Sequence, residues 1–141
     1  MFSTEQEMSK LFERYLKANF GKTYLKEYQG LFGVPDFIFY TKDDHDISII
    51  SFELKLKNWK RAAKQAFRYK SFSNITYVVL SAANASVALS NVELFKRYNI
   101  GLATLDKECF FEILHKPISA APYSLQLNSK LKKDISSFKT N

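Results

Sequence analysis

Two strongly apolar segments separated by an acidic tip constrain the fold of this chain more than any other feature. Residues 36–41 (DFIFYT) and 47–57 (ISIISFELKLK) are rich in the β-branched and aromatic residues that favour strands. The residues between them, DDHD, have the composition of a tight turn. We therefore expect a two-stranded hairpin.

The segments around this hairpin show alternating helical and strand periodicity. The elements that we predict are a helix over 4–20, a short strand between 21 and 33, a helix over 58–72, an uncharged buried strand over 75–81, a helix over 85–98, a strand over 100–105 and an antiparallel edge strand over 109–115. This order is typical of an α/β domain with a mixed central sheet flanked by helices.

The length and composition predict one folded domain. A chain of 141 residues with 46% hydrophobic residues can bury a core, but it is too short for two domains. We assign residues 1–122 to this domain. The basic C-terminal segment 123–141 is expected either to form a short helix of the same domain or to be a loose tail.

The charge balance indicates an anionic partner. A net charge of +7 points most simply to nucleic acid, although charge alone does not choose among anions. The first ten residues lack the basic-then-apolar layout of a signal peptide. No apolar run approaches the ~20 residues of a membrane span. We therefore expect a cytoplasmic protein without a membrane partner. The single cysteine, Cys109, excludes an internal disulfide and a multi-cysteine zinc site.

Two acidic residues occur in apolar strands, where an unpaired carboxylate is costly to bury. Asp36 follows Pro35 at the start of the first strand, and Glu53 interrupts the second. Side chains alternate along a strand, so Glu53 and Lys55 project from one face, and the hairpin brings Asp36 beside them. The alternative is a turn or cap role for Asp36 after the proline, and a cross-strand ion pair on a half-exposed strand for Glu53 and Lys55.

This pattern resembles the signature of the PD-(D/E)xK nuclease superfamily, which has the restriction-endonuclease-like fold. The matching residues are GVPD at 33–36 and ELK at 53–55, and QAFRY at 65–69 is similar to the Gln-x-x-x-Tyr motif of the RecB-like branch. The resemblance covers about residues 4–105 and implies an αβββαβ-type core. Residues from 107 onward match no pattern of the family.

The resemblance implies a metal site. Asp36 and Glu53 would ligate Mg²⁺ (or Mn²⁺) together with the backbone carbonyl of Leu54, and hard oxygen ligands are those that Mg²⁺ prefers. Such a metal would polarise a phosphodiester and activate a water molecule. Lys55 would orient or deprotonate that water and offset charge on the phosphoryl oxygens.

Supporting residues are implied on two helices. Gln65 and Tyr69 lie four residues apart, hence on one helical face, and would sit beside the metal or contact the DNA backbone. The alternative is that both are ordinary helix-surface residues. Relatives often add a glutamate from the first helix, for which Glu5 is the first choice, Glu7 the second and Glu13 the third, although acids are common at helix N-termini without any such role.

A basic surface is predicted around the motif strand and the helix that follows it. Its nucleic-acid-binding candidates are Lys57, Trp59, Lys60, Arg61, Lys64 and Arg68, with Tyr69 as a further interleaved aromatic residue and Lys70 as a further cation. Such a pattern is typical of phosphate contacts, and its alternative is a solvated helix face.

The resemblance therefore implies a metal-dependent DNA endonuclease with an Asp/Glu/Lys active site. No helix-turn-helix or zinc module is evident in the sequence, so recognition would come from loops, a homodimer or a separate targeting subunit. The alternative function is a non-cleaving, nuclease-like module that binds nucleic acid or protein in a larger complex.

Overall fold

A computed structural model of the chain describes residues 2–138, and within them six strands form one mixed open sheet in sequence order. The strands are β1 (Tyr24–Lys26), β2 (Phe37–Lys42), β3 (Ile47–Lys55), β4 (Ile75–Ser81), β5 (Gly101–Leu105) and β6 (Phe111–His115). The β3–β4 and β4–β5 pairs are parallel, and the other three pairs are antiparallel. The expected α/β class with a mixed sheet is confirmed.

Helices cover both faces of this sheet. They are α1 (Glu5–Phe20), α2 (Trp59–Tyr69), α3 (Ser86–Ser90), α4 (Val92–Tyr98) and α5 (Leu125–Ser137), with a 3₁₀ turn over Ala82–Asn84. The chain therefore runs α1-β1-β2-β3-α2-β4 before the last two strands. Across the described range 2–138, none of the helices combines the length and apolar character that a membrane span requires.

Helix α1 packs on one face of the sheet. Thr4 caps it by accepting a hydrogen bond from the Glu7 backbone N–H. Its buried stripe of Met8, Phe12 and Leu16 lies against side chains of the central strands. This packing fixes the first turn of α1 near the end of β3.

Helices α2 and α5 pack on the opposite face. Asn58 caps α2, and the small residues of its inner stripe allow it to lie close to β3 and β4. On α5, Leu131 and Ile135 are buried against Ile38 and Ile49 of the hairpin. The segment 125–137 is therefore a packed helix, and residues 139–141 of the basic C-terminal segment lie outside the described residues.

The hairpin register leaves the end of β3 without a partner on one side. Phe37, the first residue of β2, pairs with Phe52. Residues 53–55 consequently extend beyond β2 while remaining paired to β4 on their other side. This overhang holds the acidic and basic residues that the sequence singles out.

Two local expectations are wrong. The helix expected over 85–98 is broken at Asn91, where the side chains of Ser90 and Asn91 bond backbone carbonyls one turn earlier and compete with continued helix. Cys109, expected within the edge strand, lies in the preceding turn with φ 66°, in the left-handed region, because its N–H bonds the Asp106 carbonyl.

Candidate active site

Asp36 continues the β2–β3 ladder one step beyond the strand. Its backbone N–H donates to the Phe52 carbonyl at 3.1 Å, and its Oδ2 accepts from the Leu54 N–H at 2.7 Å. The last residue pair of the β2–β3 register is Phe37 with Phe52, so the Asp36 carboxylate acts as the acceptor for the Leu54 N–H beyond that pair. Burial raises the pKa of Asp36, and the Leu54 N–H and Lys55 charge oppose that rise.

Glu53 is the buried carboxylate of the site, with only 3% of its surface exposed. Its Oε1 accepts a hydrogen bond of 2.6 Å from the Tyr69 hydroxyl, and its Oε2 lies 3.6 Å from Lys55 Nζ. Burial and, after it, the charge of Asp36 raise the pKa of Glu53 to about 7, against the opposing effects of Tyr69 and Lys55. The Glu53 carboxylate is therefore poised between its protonated and ionised forms near neutral pH.

Lys55 lies between two carboxylates. Its Nζ is 3.6 Å from Glu53 Oε2 and 3.8 Å from Glu5 Oε2 in the first turn of α1. Both separations exceed an ordinary hydrogen bond, so the ammonium group interacts with its neighbours mainly through charge. The structure thus brings Lys55 to Glu53, and Glu5 is the member of the three first-helix candidates that contacts Lys55.

The other two first-helix glutamates have different partners. Glu7 Oε2 accepts from the Ser3 N–H at 3.1 Å, and its other oxygen is 3.8 Å from Lys107 Nζ. Glu13 accepts from the Tyr24 hydroxyl at 2.7 Å and pairs with Lys26 at 3.4 Å. These contacts direct both carboxylates to groups outside the site.

The helix α2 places the two residues of the Gln-x-x-x-Tyr pattern differently. Tyr69 is buried, and its hydroxyl contacts the Val34 carbonyl at 3.1 Å as well as Glu53, so the helix-surface alternative is wrong for it. Burial, reinforced by the Glu53 charge, raises the pKa of Tyr69 above its ordinary value. Gln65 lies one turn earlier, and its Oε1 is buried without a hydrogen-bond partner among residues 2–138.

The predicted basic surface is present only in part. Its cations on the outer face of α2 and before it are exposed, namely Lys57, Lys60, Arg61, Lys64 and Arg68. Trp59 is only 7% exposed because its ring packs against Phe95, although Lys60 Nζ lies 5.8 Å from the centre of that ring. Tyr69 and Lys70 are buried and do not belong to the exposed basic surface. Lys70 donates to the Asn99 carbonyl at 3.2 Å.

An apolar groove lies between α2 and α4, away from the carboxylates. It has a volume of about 330 Å³, and Trp59, Phe67 and Tyr98 are among its lining residues, whereas Asp36, Glu53 and Lys55 are not. Helical spacing groups Phe67 with Trp59, Ala62, Ala63 and Ala66 on one face of α2, but Phe67 is exposed whereas the other four residues are buried. The Phe67 ring packs edge-on against Tyr98 outside the small-residue stripe that contacts the sheet.

The turn before Asp36 presents a residue that the sequence pattern does not reveal. Phe32 is 51% exposed at the tip of this turn, and the Arg68 guanidinium lies 5.6 Å from the centre of its ring. The sequence feature that indicates this turn is the pair of glycines, Gly30 and Gly33, which lie close to Phe32 on either side. Both have positive φ, as a tight turn requires.

The site offers only a few oxygen atoms that could act as ligands of a metal ion. Within residues 2–138, no group of three or more His, Cys, Asp or Glu side chains could hold a metal ion. The site offers two carboxylates, Asp36 and Glu53, and the carbonyl of Leu54, which in an extended strand lies on the same side as the N–H that Asp36 accepts. Mg²⁺ is commonly bound through one or two carboxylates with water and substrate phosphates, so this donor chemistry suits it.

Comparison of the chain with protein-family models, with curated proteins and with solved structures found no match in any of the three. Any function proposed for the chain therefore depends on the residues themselves. The arrangement to be explained lies at the end of β3 that extends beyond β2. It consists of a buried glutamate, a second carboxylate and a lysine, with exposed cations on the neighbouring helix α2.

Proposed function

We propose that the chain is a nuclease of the PD-(D/E)xK class with a restriction-endonuclease-like domain. More particularly, we propose a Mg²⁺-dependent endonuclease that hydrolyses phosphodiester bonds in DNA. The observation that carries the proposal is the meeting of Asp36, Glu53 and Lys55 at the end of β3. The element order α-β-β-β-α-β, with β3 and β4 parallel, supports it.

The metal would be held by Asp36, Glu53 and the Leu54 carbonyl. Bound there, Mg²⁺ (or Mn²⁺) would polarise the phosphodiester and lower the pKa of the attacking water. Burying two neighbouring carboxylates is costly without compensating charge, and Lys55 at 3.6 Å supplies only one positive charge. The raised pKa values of both carboxyl groups agree with a site that a cation would stabilise.

The remaining residues would position and balance this centre. Lys55 would orient the water and offset negative charge on the phosphoryl oxygens, with Glu5 holding its ammonium group from the other side. Tyr69 would hold Glu53 in its rotamer through the 2.6 Å hydrogen bond. Gln65, whose buried Oε1 has no hydrogen-bond partner within the described range, would complete the site from the same helix face.

The exposed cations of α2 would bind the phosphate backbone. Contacts of this kind position DNA without reading its sequence. We therefore propose that a homodimer or a separate targeting subunit supplies the recognition of the DNA.

Cleavage assays with the purified chain of 141 residues test the proposal. The substrates are duplex, single-stranded and branched DNA, each incubated with Mg²⁺, with Mn²⁺ or with a chelator. We expect metal-dependent cleavage by the parent and its loss in Asp36→Ala and Lys55→Ala. If the parent and both variants are equally inert on all three DNA forms, the enzyme assignment fails for those substrates.

The alternative is a module that binds nucleic acid or protein without cutting. The observation that favours it is the pairing of Lys55 with both Glu53 and Glu5, which could serve stability alone. A titration with Mn²⁺ separates the two functions. Binding that Asp36→Ala abolishes supports the enzyme, whereas DNA affinity without Mn²⁺ binding at Asp36 and Glu53 supports the module.

A further inference from the structure

The turn before Asp36 is built to expose an aromatic ring. An isolated β-bridge joins Leu31 to Gly33 and leaves Phe32 at the tip, half-exposed to solvent. Gly30 and Gly33 have φ values of 96° and 81°, which favour glycine over any residue with a Cβ. The turn therefore depends on its two glycines, while its large apolar side chain points away from the core.

Contacts with two helices hold this turn in place. Lys130 of α5 donates to the Gly30 carbonyl at 2.7 Å, and the Tyr69 hydroxyl of α2 lies 3.1 Å from the Val34 carbonyl. The Tyr69 ring also fills the space beside Gly33, where an added Cβ would lie 2.9 Å from its Cε1. Leu31 packs into the apolar cluster beneath the turn. The exposed ring is thus carried by an anchored backbone.

The ring lies beside one cation and only four residues before Asp36 in the chain. The Arg68 guanidinium is 5.6 Å from the ring centre, which is within the range of a cation–π contact. Phe32 precedes Asp36 by four residues, a separation of at most about 14 Å at roughly 3.5 Å per residue. At roughly 3.4 Å per stacked nucleotide this corresponds to no more than about four nucleotides along a DNA strand.

We propose that Phe32 is a stacking platform for an unpaired base of the DNA, and that the substrate class is DNA with unpaired bases near the cleavage point. The position of the DNA rests on the proposed function. An aromatic ring beside cations binds single strands with little sequence preference, because every base has a free π-face. In uninterrupted duplex those faces are occupied by neighbouring bases, and the ring would have to unstack them.

Binding of fluorescent DNA to the full chain tests the platform without requiring cleavage. The probe carries 2-aminopurine, placed in turn at successive positions of one strand, and is used as a single strand and as a perfect duplex in the presence of a chelator. The variants are Phe32→Ala and Phe32→Trp. The matched control is Phe110→Ala, because Phe110 is also exposed, at 59%, but lies before β6.

We expect Phe32→Ala to weaken single-strand binding by about 5- to 150-fold, the usual loss for one stacked base, and to remove the quenching of 2-aminopurine. Duplex affinity should change less than about twofold, Phe32→Trp should retain single-strand binding, and Phe110→Ala should match the parent. Equal losses on both DNA forms, no loss on either, or a parent that binds neither form would overturn the inference.

Failure of the proposed nuclease function can be distinguished from failure of the proposed stacking role of Phe32. A parent that cleaves duplex with Mg²⁺ while Phe32→Ala leaves single-strand binding intact would refute the platform alone. A parent that cleaves nothing but loses single-strand affinity in Phe32→Ala would refute the nuclease and keep the platform.

Discussion

Replacing Tyr69 by phenylalanine tests how the site holds its buried glutamate. The substitution removes one hydroxyl, which donates to Glu53 at 2.6 Å and contacts the Val34 carbonyl at 3.1 Å. A hydrogen bond to a charged group contributes about 1.5–3 kcal/mol, and leaving its buried partner unsatisfied adds to the loss. We therefore expect Tyr69→Phe to lower the free energy of unfolding by about 2–3 kcal/mol, measured by urea denaturation of the metal-free chain at pH 8.

Tyr77→Phe is the matched control. Tyr77 is also buried, and its ring stacks on Phe52. Burial raises the pKa of Tyr77, and within residues 2–138 no hydrogen bond contributes to that rise. We expect a change below about 0.5 kcal/mol for this variant. A loss for Tyr69→Phe no larger than that for Tyr77→Phe would refute the reasoning. A double-mutant cycle with Glu53→Gln should show coupling between the two positions, since they are in contact.

Three further predictions follow from burial and backbone geometry. Burial raises the pKa of Glu53 from 4.5 to about 7, so the folded metal-free chain binds this proton more tightly than the unfolded chain does. The free energy of unfolding of the parent should therefore fall by up to about 3 kcal/mol as pH rises from 4.5 to 8. Glu53→Gln should flatten that decline in denaturation curves measured across this pH range. Gly33→Ala should cost about 1–3 kcal/mol more than Gly21→Ala in urea denaturation, because only the former meets a side chain, and equal costs would contradict the close approach. Leu131→Ala should cost about 2–5 kcal/mol and the exposed Leu125→Ala almost nothing, and a negligible loss for Leu131→Ala would show that α5 does not stabilise the domain.

Periodicity predicts the elements of this fold well where burial dominates. The uncharged run 75–81 forms β4 with the expected bounds, and Asn58 caps α2 as its position suggests. The pattern fails where local and tertiary effects compete. Asn91 breaks the helix expected over 85–98 through its own side-chain hydrogen bond, and Phe67 turns outward because small residues occupy the contact with the sheet.

The sequence predicts the site residues that lie on β3, but it does not predict the contacts made by α2 or by the turn before Asp36. Alternation along one strand suffices to place Glu53 and Lys55 on the same face, and the structure brings them within 3.6 Å. The contact of Tyr69 with Glu53 depends on how α2 crosses β3, which no local pattern encodes. The exposure of Phe32 likewise follows from a tertiary anchor, since α5 and α2 hold its turn.

The single-turnover rate of Mg²⁺-dependent DNA cleavage tests the central claim most directly. The variants are Lys55→Met and, as a matched control, Lys26→Met, because Lys26 of β1 pairs with Glu13 of α1 as Lys55 pairs with Glu53. We predict that Lys55→Met slows the parent rate by about 10²- to 10⁴-fold while Lys26→Met leaves it unchanged. Equal rates for Lys55→Met and the parent would contradict the assignment of Asp36, Glu53 and Lys55 as a nuclease centre.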